Sequence, residues 1–482
     1  MLLLLIIIIP LASSALSLLI KKKNLKALGI IATLGSFSEL LITFIIGMYV
    51  VEYGVYSFTS YLSVDSLGLI LMAILAISNF SASWYSGSYL KAEMEKEIIG
   101  FTRMRQYFIL LHLFIFAMFF AIITTNPIIM WISIEATTLS TAFLISFYNK
   151  PASMEAAWKY LIINSVGLLL GFFGTLLFLY PAMASGNYEL ANWQTLMSCA
   201  SSFDPFIAKI AFIFILIGYG TKVGLVPMHT WLPDAHSKAP APISALFSGV
   251  LLNVAFLAVL RFKSVIDISI GKYFSQELFI FFGVLSIVIA AFIIFIQKNY
   301  KRLLAYHSIE HMGIITLGFG FGGIASFAAL LHLIYHSLAK SALFLLAGNI
   351  ILKYSSTKIE KVSGMIKTLP VTSVLFFIGF LALAGIPPFG IFITEFTILS
   401  TGFYINPVIV IIVLLSLVLV VAGIIKHVSE MIFGEPAEGL PVGEAGINTV
   451  FPIVIIVAIL IFISFFIPAE MQSLLRSATL NY

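Results

Sequence analysis

The sequence of 482 residues contains one cysteine, few charges and no nucleotide-binding motif. Cys199 alone cannot supply an internal disulfide, a cysteine-held iron–sulfur cluster or a cysteine zinc site, so none is expected in this chain. There is no GxxxxGK[ST] loop and no GxGxxG turn after a strand, which argues against ATP or dinucleotide binding. Charged residues make up 10% and hydrophobic residues 61% of the sequence, which excludes a soluble protein of this length.

Apolar stretches long enough to cross a bilayer recur along the whole chain and predict an all-α, polytopic membrane protein. The sequence predicts about fourteen transmembrane helices, at about 1–20, 27–50, 64–83, 107–125, 127–147, 157–182, 205–226, 243–262, 276–296, 303–323, 325–352, 368–401, 406–432 and 450–468. Because the run Met1–Ile9 lacks a basic n-region and the basic cluster comes after it, we interpret this run as the first membrane helix and not as a cleaved signal. The longest polar segments, about 84–106 and 183–204, are too short to fold alone.

Basic residues are distributed unevenly between the two sides that this topology predicts. Nearly all loop lysines and arginines, beginning with the cluster Lys21–Lys23, fall on the side of the first loop. The positive-inside rule places that side in the cytoplasm and both termini outside a cell membrane, either inner or plasma. The net charge of +5 then reflects topology, and nucleic acid is not an expected partner.

A charge inside a membrane span costs a few kcal/mol or more and is by default a functional candidate, and seven titratable residues inside predicted spans are the candidates here. We predict that they form a proton relay, whose members are Glu135, Lys222, His311, His332, His336, Lys340 and Glu395. We expect Glu135 and Lys222 to form an acid–base pair between neighbouring spans, because each would be costly alone. The alternatives are a packing role for Glu135, snorkelling of Lys222 to the cytoplasmic side, and plain solvation of Glu395 at the outer surface.

Two spans are interrupted by proline close to a charge. Lys222 precedes Pro227, and Pro387–Pro388 precedes Glu395. Such interruptions let water and backbone carbonyls reach a charged group, and a pair of them indicates repeats around an ion site near the midplane.

His332, His336 and Lys340 follow one another at intervals of four residues in ALLHLIYHSLAKSALFLLAG. On a helix this spacing places all three side chains on one stripe. Because histidine titrates near neutral pH, the stripe can accept and pass on protons. Two histidines four residues apart also suit zinc, but the sequence shows no third ligand at a predictable spacing, so no metal site is predicted.

Other titratable residues lie near the predicted membrane surfaces. His229, His236 and Lys238 lie in the turn after the broken seventh span, where they either take up protons or simply solvate the turn. In YHSIEHMG, His311 lies deeper than His307, so we assign His311 to the relay and His307 to the interface.

The quoted stretches carry a resemblance to a known family. GTKVGLVPMHTWLPDAHSKAPAPISALFSG resembles the signature of the proton-conducting membrane subunits of respiratory complex I and of Mrp-type cation/proton antiporters. YKRLLAYHSIEHMG, the HxxxHxxxK stripe and GIPPFGIFITE are similar to later segments of that family, in matching order over about 60–430. The forms LLNVAFLAVLRF and HSIEHMG are similar to the branch found in membrane-bound hydrogenases and formate hydrogenlyase-type complexes.

The resemblance implies a fold of fourteen helices with two inverted five-helix repeats, each of which holds a broken helix. It implies three N-terminal helices at 1–106, a first repeat at 107–262, a second repeat at 276–432 and a last helix at 450–468. The residues that match relay positions of the family are Glu135, Lys222, His311, His336, Lys340 and Glu395.

The sequence also departs from the family pattern. Many members carry a lysine or histidine in the eighth helix, whereas this stretch offers only Ser248 and Asn253, so we expect water to bridge the gap. The sequence ends soon after the last predicted helix, and we expect no long lateral helix of the kind that one complex I subunit carries.

These observations predict a subunit that moves protons, or exchanges Na⁺ for H⁺, within a multi-subunit redox complex. Other membrane subunits and a peripheral redox arm are the expected partners. Iron–sulfur clusters and, in a hydrogenase-like complex, a nickel–iron centre are expected in those partners. The alternative is a subunit of an Mrp-type antiporter without a redox partner. A transporter for an organic solute fits less well, because the intramembrane polar groups are nearly all titratable.

Overall fold

The computed structural model describes residues 1–184, 192–436, 439–480 and 482, and most of these residues are helical. The predicted polar segment 183–204 therefore lies partly outside the described residues. The elements are α1 Leu2–Leu19, α2 Leu25–Tyr53, β1 Val55–Thr59, β2 Leu62–Asp65, α3 Ser66–Glu95, α4 Phe101–Ile123, α5 Pro127–Ile145, α6 Pro151–Ala184, α7 Trp193–Cys199, α8 Pro205–Val223, α9 Trp231–Lys238, α10 Ala241–Leu246, α11 Leu252–Ile270, α12 Tyr273–Ile296, α13 Tyr300–Phe321, α14 Ile324–Tyr354, α15 Met365–Thr368, α16 Pro370–Leu383, α17 Gly390–Ile405, α18 Pro407–Phe433, α19 Phe451–Phe465 and α20 Ala469–Thr479.

The number of spans agrees closely with the fourteen that the sequence predicts. Twelve helical segments in the described part of the chain have the length and hydropathy of a membrane span. The more polar helix α13 occupies the place of the tenth predicted span. Two shorter apolar helices, α16 and α17, share the place of the twelfth, on either side of the predicted interruption at Pro387–Pro388.

Capping residues explain why neighbouring spans are separated so briefly. The Asn126 side chain accepts hydrogen bonds from two backbone N–H groups in the first turn of α5, and Pro127 follows where no backbone donor is needed. Asp204 and Asn299 cap α8 and α13 in the same way. Gly322 ends α13 at a φ of 75°, a conformation that glycine adopts without a steric penalty.

Close packing of α6 against α8 positions the first candidate residue. A Cβ atom on Gly218 of α8 would overlap the backbone of Gly171 on α6. Small residues at such contacts let membrane helices approach closely. The end of α8, which carries Lys222, is thereby held against α6, and Lys222 reaches Tyr160 there.

A two-stranded hairpin between α2 and α3 is a small departure from an all-helical fold, with Val55 paired antiparallel to Asp65. The Asp65 carboxylate caps α3 through the Gly68 N–H and accepts hydrogen bonds of 2.5 and 2.7 Å from the Arg261 guanidinium. Burial alone would raise the Asp65 pKa, but the charge and hydrogen bonds of Arg261 hold this pKa below its ordinary value. The ion pair thus ties the hairpin to α11.

Two lysines that the predicted topology assigns to loops, Lys263 and Lys301, are buried in helices, so for these two residues the assignment is wrong. Arg261 and Lys263 belong to α11, and Lys263 is buried in an ion pair of 2.5 Å with Asp267. Lys301 is buried in α13, where its Nζ donates to the Ala239 carbonyl at 2.7 Å. A partner offsets the cost of burying each lysine: Asp267 lies one turn away on the same helix as Lys263, whereas the fold brings the Ala239 carbonyl to Lys301.

Candidate functional site

Glu135 of α5 and Lys222 of α8 are connected through a hydroxyl group. The fully buried Lys222 donates from Nζ to Thr138 Oγ1 at 2.9 Å and to the Tyr160 hydroxyl at 2.6 Å. Thr138 Oγ1 donates to Glu135 Oε2 at 3.3 Å. Ser165 Oγ donates to the other Glu135 oxygen at 2.8 Å. The expected acid–base pair is therefore a chain of three groups with Thr138 in the middle; we call Glu135, Thr138, Tyr160 and Lys222 the first cluster.

The position of Lys222 follows from the way α8 ends. Gly224 adopts a left-handed conformation with a φ of 85°, and its N–H bonds to the carbonyls of Gly220 and Thr221. The Trp231 indole donates to the Thr221 carbonyl at 2.8 Å. Lys222 thus lies in the last turn of α8, where the helix dipole favours a cation. The interruption predicted at Pro227 places the ammonium deep in the protein without snorkelling, because Lys222 is 0% exposed.

A second group of titratable side chains converges from α13, α14 and α17. His311 Nδ1 lies 2.9 Å from His332 Nε2, and His332 Nδ1 lies 2.9 Å from Thr394 Oγ1. The rings of His311 and His336 are 5.2 Å apart between centroids. One ligand atom each from His311, His332 and Glu395 lie within 4.8 Å of one another. We call His311, His332, His336, Lys340 and Glu395 the second cluster.

Glu395 lies at the break between α16 and α17. Its carboxylate packs on Gly385, where a Cβ would overlap it and where a φ of 61° also favours glycine. The side chain is half-buried and approaches His311 and His332. This position differs from the alternative of a carboxylate plainly solvated at the outer surface.

Glu310 is a member of this group that sequence reasoning missed. Its Oε2 lies 3.3 Å from His307 Nδ1 and 3.4 Å from His311 Nε2. His307 is fully buried, so its assignment to the interface is wrong. The available signal was the spacing of Glu310, three residues after one histidine and one before another.

Lys340 lies one helical turn after His336 on the same face of α14. Its Nζ donates to the Leu304 carbonyl of α13 at 2.7 Å, and it is near enough to Glu310 for the two charges to interact. His336 is buried between His311 and Lys340, and neither of its ring nitrogens has a hydrogen-bond partner among the described residues. Among the described residues, the His336 imidazole therefore has no hydrogen-bond partner, whereas His311 and Lys340 on either side of it are both hydrogen-bonded.

Of the three residues predicted to take up protons, Lys238 lines a cavity on the lysine-rich side. This cavity of about 380 Å³ is lined by Lys238, Lys301 and the carboxylate-bearing Glu93, among others. His236 is fully buried and stacks on Phe344 with ring centroids 4.6 Å apart. Because His236 is buried, it does not solvate the turn.

His229 lies apart from His236 and packs edge-on against Tyr306 at 6.2 Å between ring centroids. It is also mostly buried, at 8% exposure.

Between the clusters, Phe247–Leu251 forms a π-helical turn that joins α10 to α11, and such turns are frequent at functional sites. On this turn the Ser248 hydroxyl lies 2.6 Å from that of Ser308 on α13. Asn253 donates to Ser337 Oγ on α14 at 2.7 Å. Ser248 and Asn253 thus contact two of the three helices that carry the second cluster.

Comparison with known proteins settles the family. A family model described as "NADH:quinone oxidoreductase/Mrp antiporter, TM" matches residues 124–421, more than half of the chain. The chain belongs to this family. A Hydrogenase-4 component F homolog from Methylacidiphilum infernorum (isolate V4) is 40% identical over 381 residues, which cover 78% of this chain and 80% of that protein. Hydrogenase-4 component B from Escherichia coli (strain K12) is 29% identical over 347 residues, which cover 69% of this chain and 50% of that protein.

The fold agrees with this membership. A chain of the archaeal membrane-bound sulfane sulfur reductase superposes with a TM-score of 0.87 at 21% identity, over 99% of this chain and 97% of that one. The predicted resemblance is confirmed: the protein is a multi-pass, antiporter-like membrane subunit of the hydrogenase, complex I and Mrp type. Relatives of this antiporter-like subunit belong to multi-subunit membrane complexes. The matched part of this chain spans about half the length of several of these relatives.

Proposed function

We propose that this antiporter-like subunit carries protons along a buried relay from Glu135 to Glu395. The observation that carries the proposal is the arrangement of the second cluster, in which His311 and His332 lie within hydrogen-bond distance and Glu395 lies close to both. Titratable side chains inside a membrane protein are costly and are kept for ion pathways. Imidazoles in contact can pass a proton by accepting it on one ring nitrogen and releasing it from the other.

The order of groups along the relay follows their contacts. The first cluster exchanges a proton between Lys222 and Glu135 through Thr138. Protons then cross the region of His236, Ser248 and Asn253, where we propose that water completes the path. Lys340 and His336 lead to His311 and His332, and Glu395 releases the proton. Release would be on the face opposite the lysine-rich loops, with both termini on that outer face of a cell membrane.

We propose that protons are taken up from the cytoplasmic side through the cavity beside Lys238. Glu93 is 2% exposed there, and one of its carboxylate oxygens has no partner among the described residues. The other oxygen accepts a hydrogen bond of 2.6 Å from Tyr148. Lys301 is near enough to interact with the charges of both Glu93 and His236. Glu93 and Lys301 thus connect the cavity to the buried imidazole.

A Glu93→Gln variant is expected to slow proton flux by roughly 100-fold, the low side of what a positioned proton-transfer group contributes. The amide keeps the shape of the side chain but cannot take up and release a proton. The matched control is Glu95→Gln, because the Glu95 side chain is 63% exposed and pairs only with the neighbouring Lys91. Flux is measured with a pH-sensitive dye in vesicles that contain the complex. Equal flux in the Glu93 and Glu95 variants would exclude uptake through this cavity.

The energy for transport would come from partner subunits. We propose a redox complex of the hydrogenase-like type, because the relative that is 40% identical is named as a hydrogenase component homolog. Iron–sulfur clusters, and a nickel–iron centre if the complex is hydrogenase-like, would then lie in a peripheral arm. An Mrp-type antiporter without a redox partner is the competing assembly.

The test is to purify the complex with its partners and reconstitute it in sealed vesicles. Electron donors should drive acidification of one side in the absence of Na⁺ if H⁺ is the transported ion. A requirement for Na⁺ would identify exchange of Na⁺ for H⁺. Movement of H⁺ driven by a Na⁺ gradient alone, in a complex without redox subunits, would replace the redox proposal with the Mrp-type assembly.

A further inference from the structure

His311, His332 and Glu395 form a set of ligand atoms that the sequence alone did not reveal. The sequence offers His332 and His336 on one helix and no third ligand. The fold instead brings together one residue each from α13, α14 and α17, with one ligand atom from each within 4.8 Å of the others. Two imidazoles and one carboxylate on three separate elements make a convergent site.

We propose that these three residues bind a divalent transition-metal cation of the Zn²⁺ type, and that the bound cation blocks the relay. Two histidines and one glutamate, with a fourth position left for water, are an established ligand set for zinc. A tetrahedral zinc ion holds neighbouring nitrogen ligands about 3.3 Å apart, given Zn–N distances of about 2.0–2.1 Å. His311 Nδ1 and His332 Nε2 are 2.9 Å apart, so the two rings need to separate by only a few tenths of an ångström.

A hydrogen bond behind His332 selects the tautomer that the metal needs. Thr394 Oγ1 donates its own proton to the Ile391 carbonyl at 2.8 Å, so it accepts from His332 Nδ1. The His332 proton is therefore on Nδ1, and the lone pair of Nε2 faces His311. When a cation binds, His311 has to carry its proton on Nε2, where Glu310 Oε2 lies 3.4 Å away. Carboxylates behind metal-bound histidines play this orienting role.

A second trio shares one of these residues. His307, Glu310 and His311 also have ligand atoms within 4.8 Å of one another. In that trio Glu310 would be a direct ligand and His332 would take no part. We favour the trio with Glu395 because Thr394 already orients His332 and the Glu310 carboxylate lies 3.4 Å from His311 Nε2, where it can accept that proton once a cation binds. Substituting His307 and Glu395 one at a time distinguishes the two candidate sites.

The proposal has two parts with different foundations. Binding of the cation rests on geometry alone. Blocking rests on the proposed proton relay, because a cation on His311 and His332 removes both lone pairs from proton transfer.

The binding experiment uses the purified complex and radioactive Zn²⁺ in equilibrium dialysis, with Glu395→Gln, His307→Gln and Glu135→Gln variants beside the wild type. Subtracting the amount of zinc bound by each variant from the amount bound by the wild type removes the contribution of zinc held by partner subunits. We expect Glu395→Gln to weaken one zinc site by more than about tenfold, which is the lower bound for losing even an outer-shell partner. His307→Gln and Glu135→Gln should bind zinc like the wild type.

A further variant tests the site without changing the packing of side chains. Thr394→Val keeps the volume of the side chain and removes only the acceptor behind His332, so it should weaken zinc binding by about tenfold. Unchanged binding in Glu395→Gln, or loss of binding in His307→Gln alone, would overturn the site.

The flux experiment distinguishes failure of the zinc site from failure of the proposed proton transport. Zn²⁺ at a concentration that fills the site should stop proton flux in wild-type vesicles. Glu135→Gln should transport poorly and still bind zinc, which shows that the two readouts are independent. If the site is filled and protons still move at the wild-type rate, blocking is refuted and the path does not run through these histidines. If wild-type vesicles move no protons and the zinc site is present, the proposed transport fails and the site stands.

Discussion

A Lys340→Ala variant is expected to lose coupled proton movement, by about 100-fold or more, while the complex still assembles. Lys340 is the cationic group nearest to His336 on α14, and it is the one that interacts with Glu310. Without Lys340, the stripe of His332, His336 and Lys340 has no lysine that can release a proton to the His336 imidazole. The helix keeps its apolar contacts, because its neighbours Ala339, Ala342 and Leu343 are buried and unchanged.

Two further variants make this prediction specific. Lys340→Met fills most of the space of the lysine, so a shared loss of flux in the alanine and methionine variants cannot come from a cavity. Lys358→Ala removes a lysine that is 62% exposed beyond the end of α14 and should leave flux unchanged. Flux in vesicles is measured beside assembly on a native gel. Wild-type flux in an assembled Lys340→Met complex would remove Lys340 from the relay.

The sequence predicts the spans and the broken helices well because both depend on local patterns. Hydropathy over about 20 residues is a property of one segment, and Pro387–Pro388 interrupts a helix wherever the segment packs. Each of the seven relay candidates could be found because a charge within an apolar run is conspicuous. The division into repeats at 107–262 and 276–432 stays a prediction.

Contacts between helices could not be predicted in the same way. Thr138 is an ordinary hydroxyl in sequence and becomes a link only because α8 packs beside α5 and α6. Lys263 looks like a loop residue until Asp267, one turn away in a buried helix, is seen to hold it. Glu310 and His307 lie near the start of a helix whose depth depends on the packing of its neighbours. For Thr138 the missing information is the partner across an interface, and for Lys263, Glu310 and His307 it is the burial of their own helix by its neighbours.

The same reasoning gives a strict test of the first cluster. Replacing Lys222 by methionine should abolish coupled flux, since the buried cation in contact with Thr138 is lost and the apolar packing of α8 is largely kept. The remaining Glu135 carboxylate would keep its hydrogen bond from Ser165 but have no group with which to exchange a proton. Flux in vesicles and assembly on a native gel are measured as for Lys340.

The link itself is tested by Thr138→Val, which removes one hydroxyl and changes neither charge. Lys222 would keep its hydrogen bond to Tyr160, and Glu135 would keep its bond from Ser165, so both ends of the chain stay anchored. We expect flux to fall by roughly tenfold, because proton transfer through a positioned group is lost while a water can partly replace it. Thr137→Val is the matched control, since the Thr137 hydroxyl bonds only to the Ile134 carbonyl of its own helix. Equal flux in the two threonine variants would mean that Lys222 and Glu135 exchange protons by another path, and that the hydroxyl between them serves packing alone.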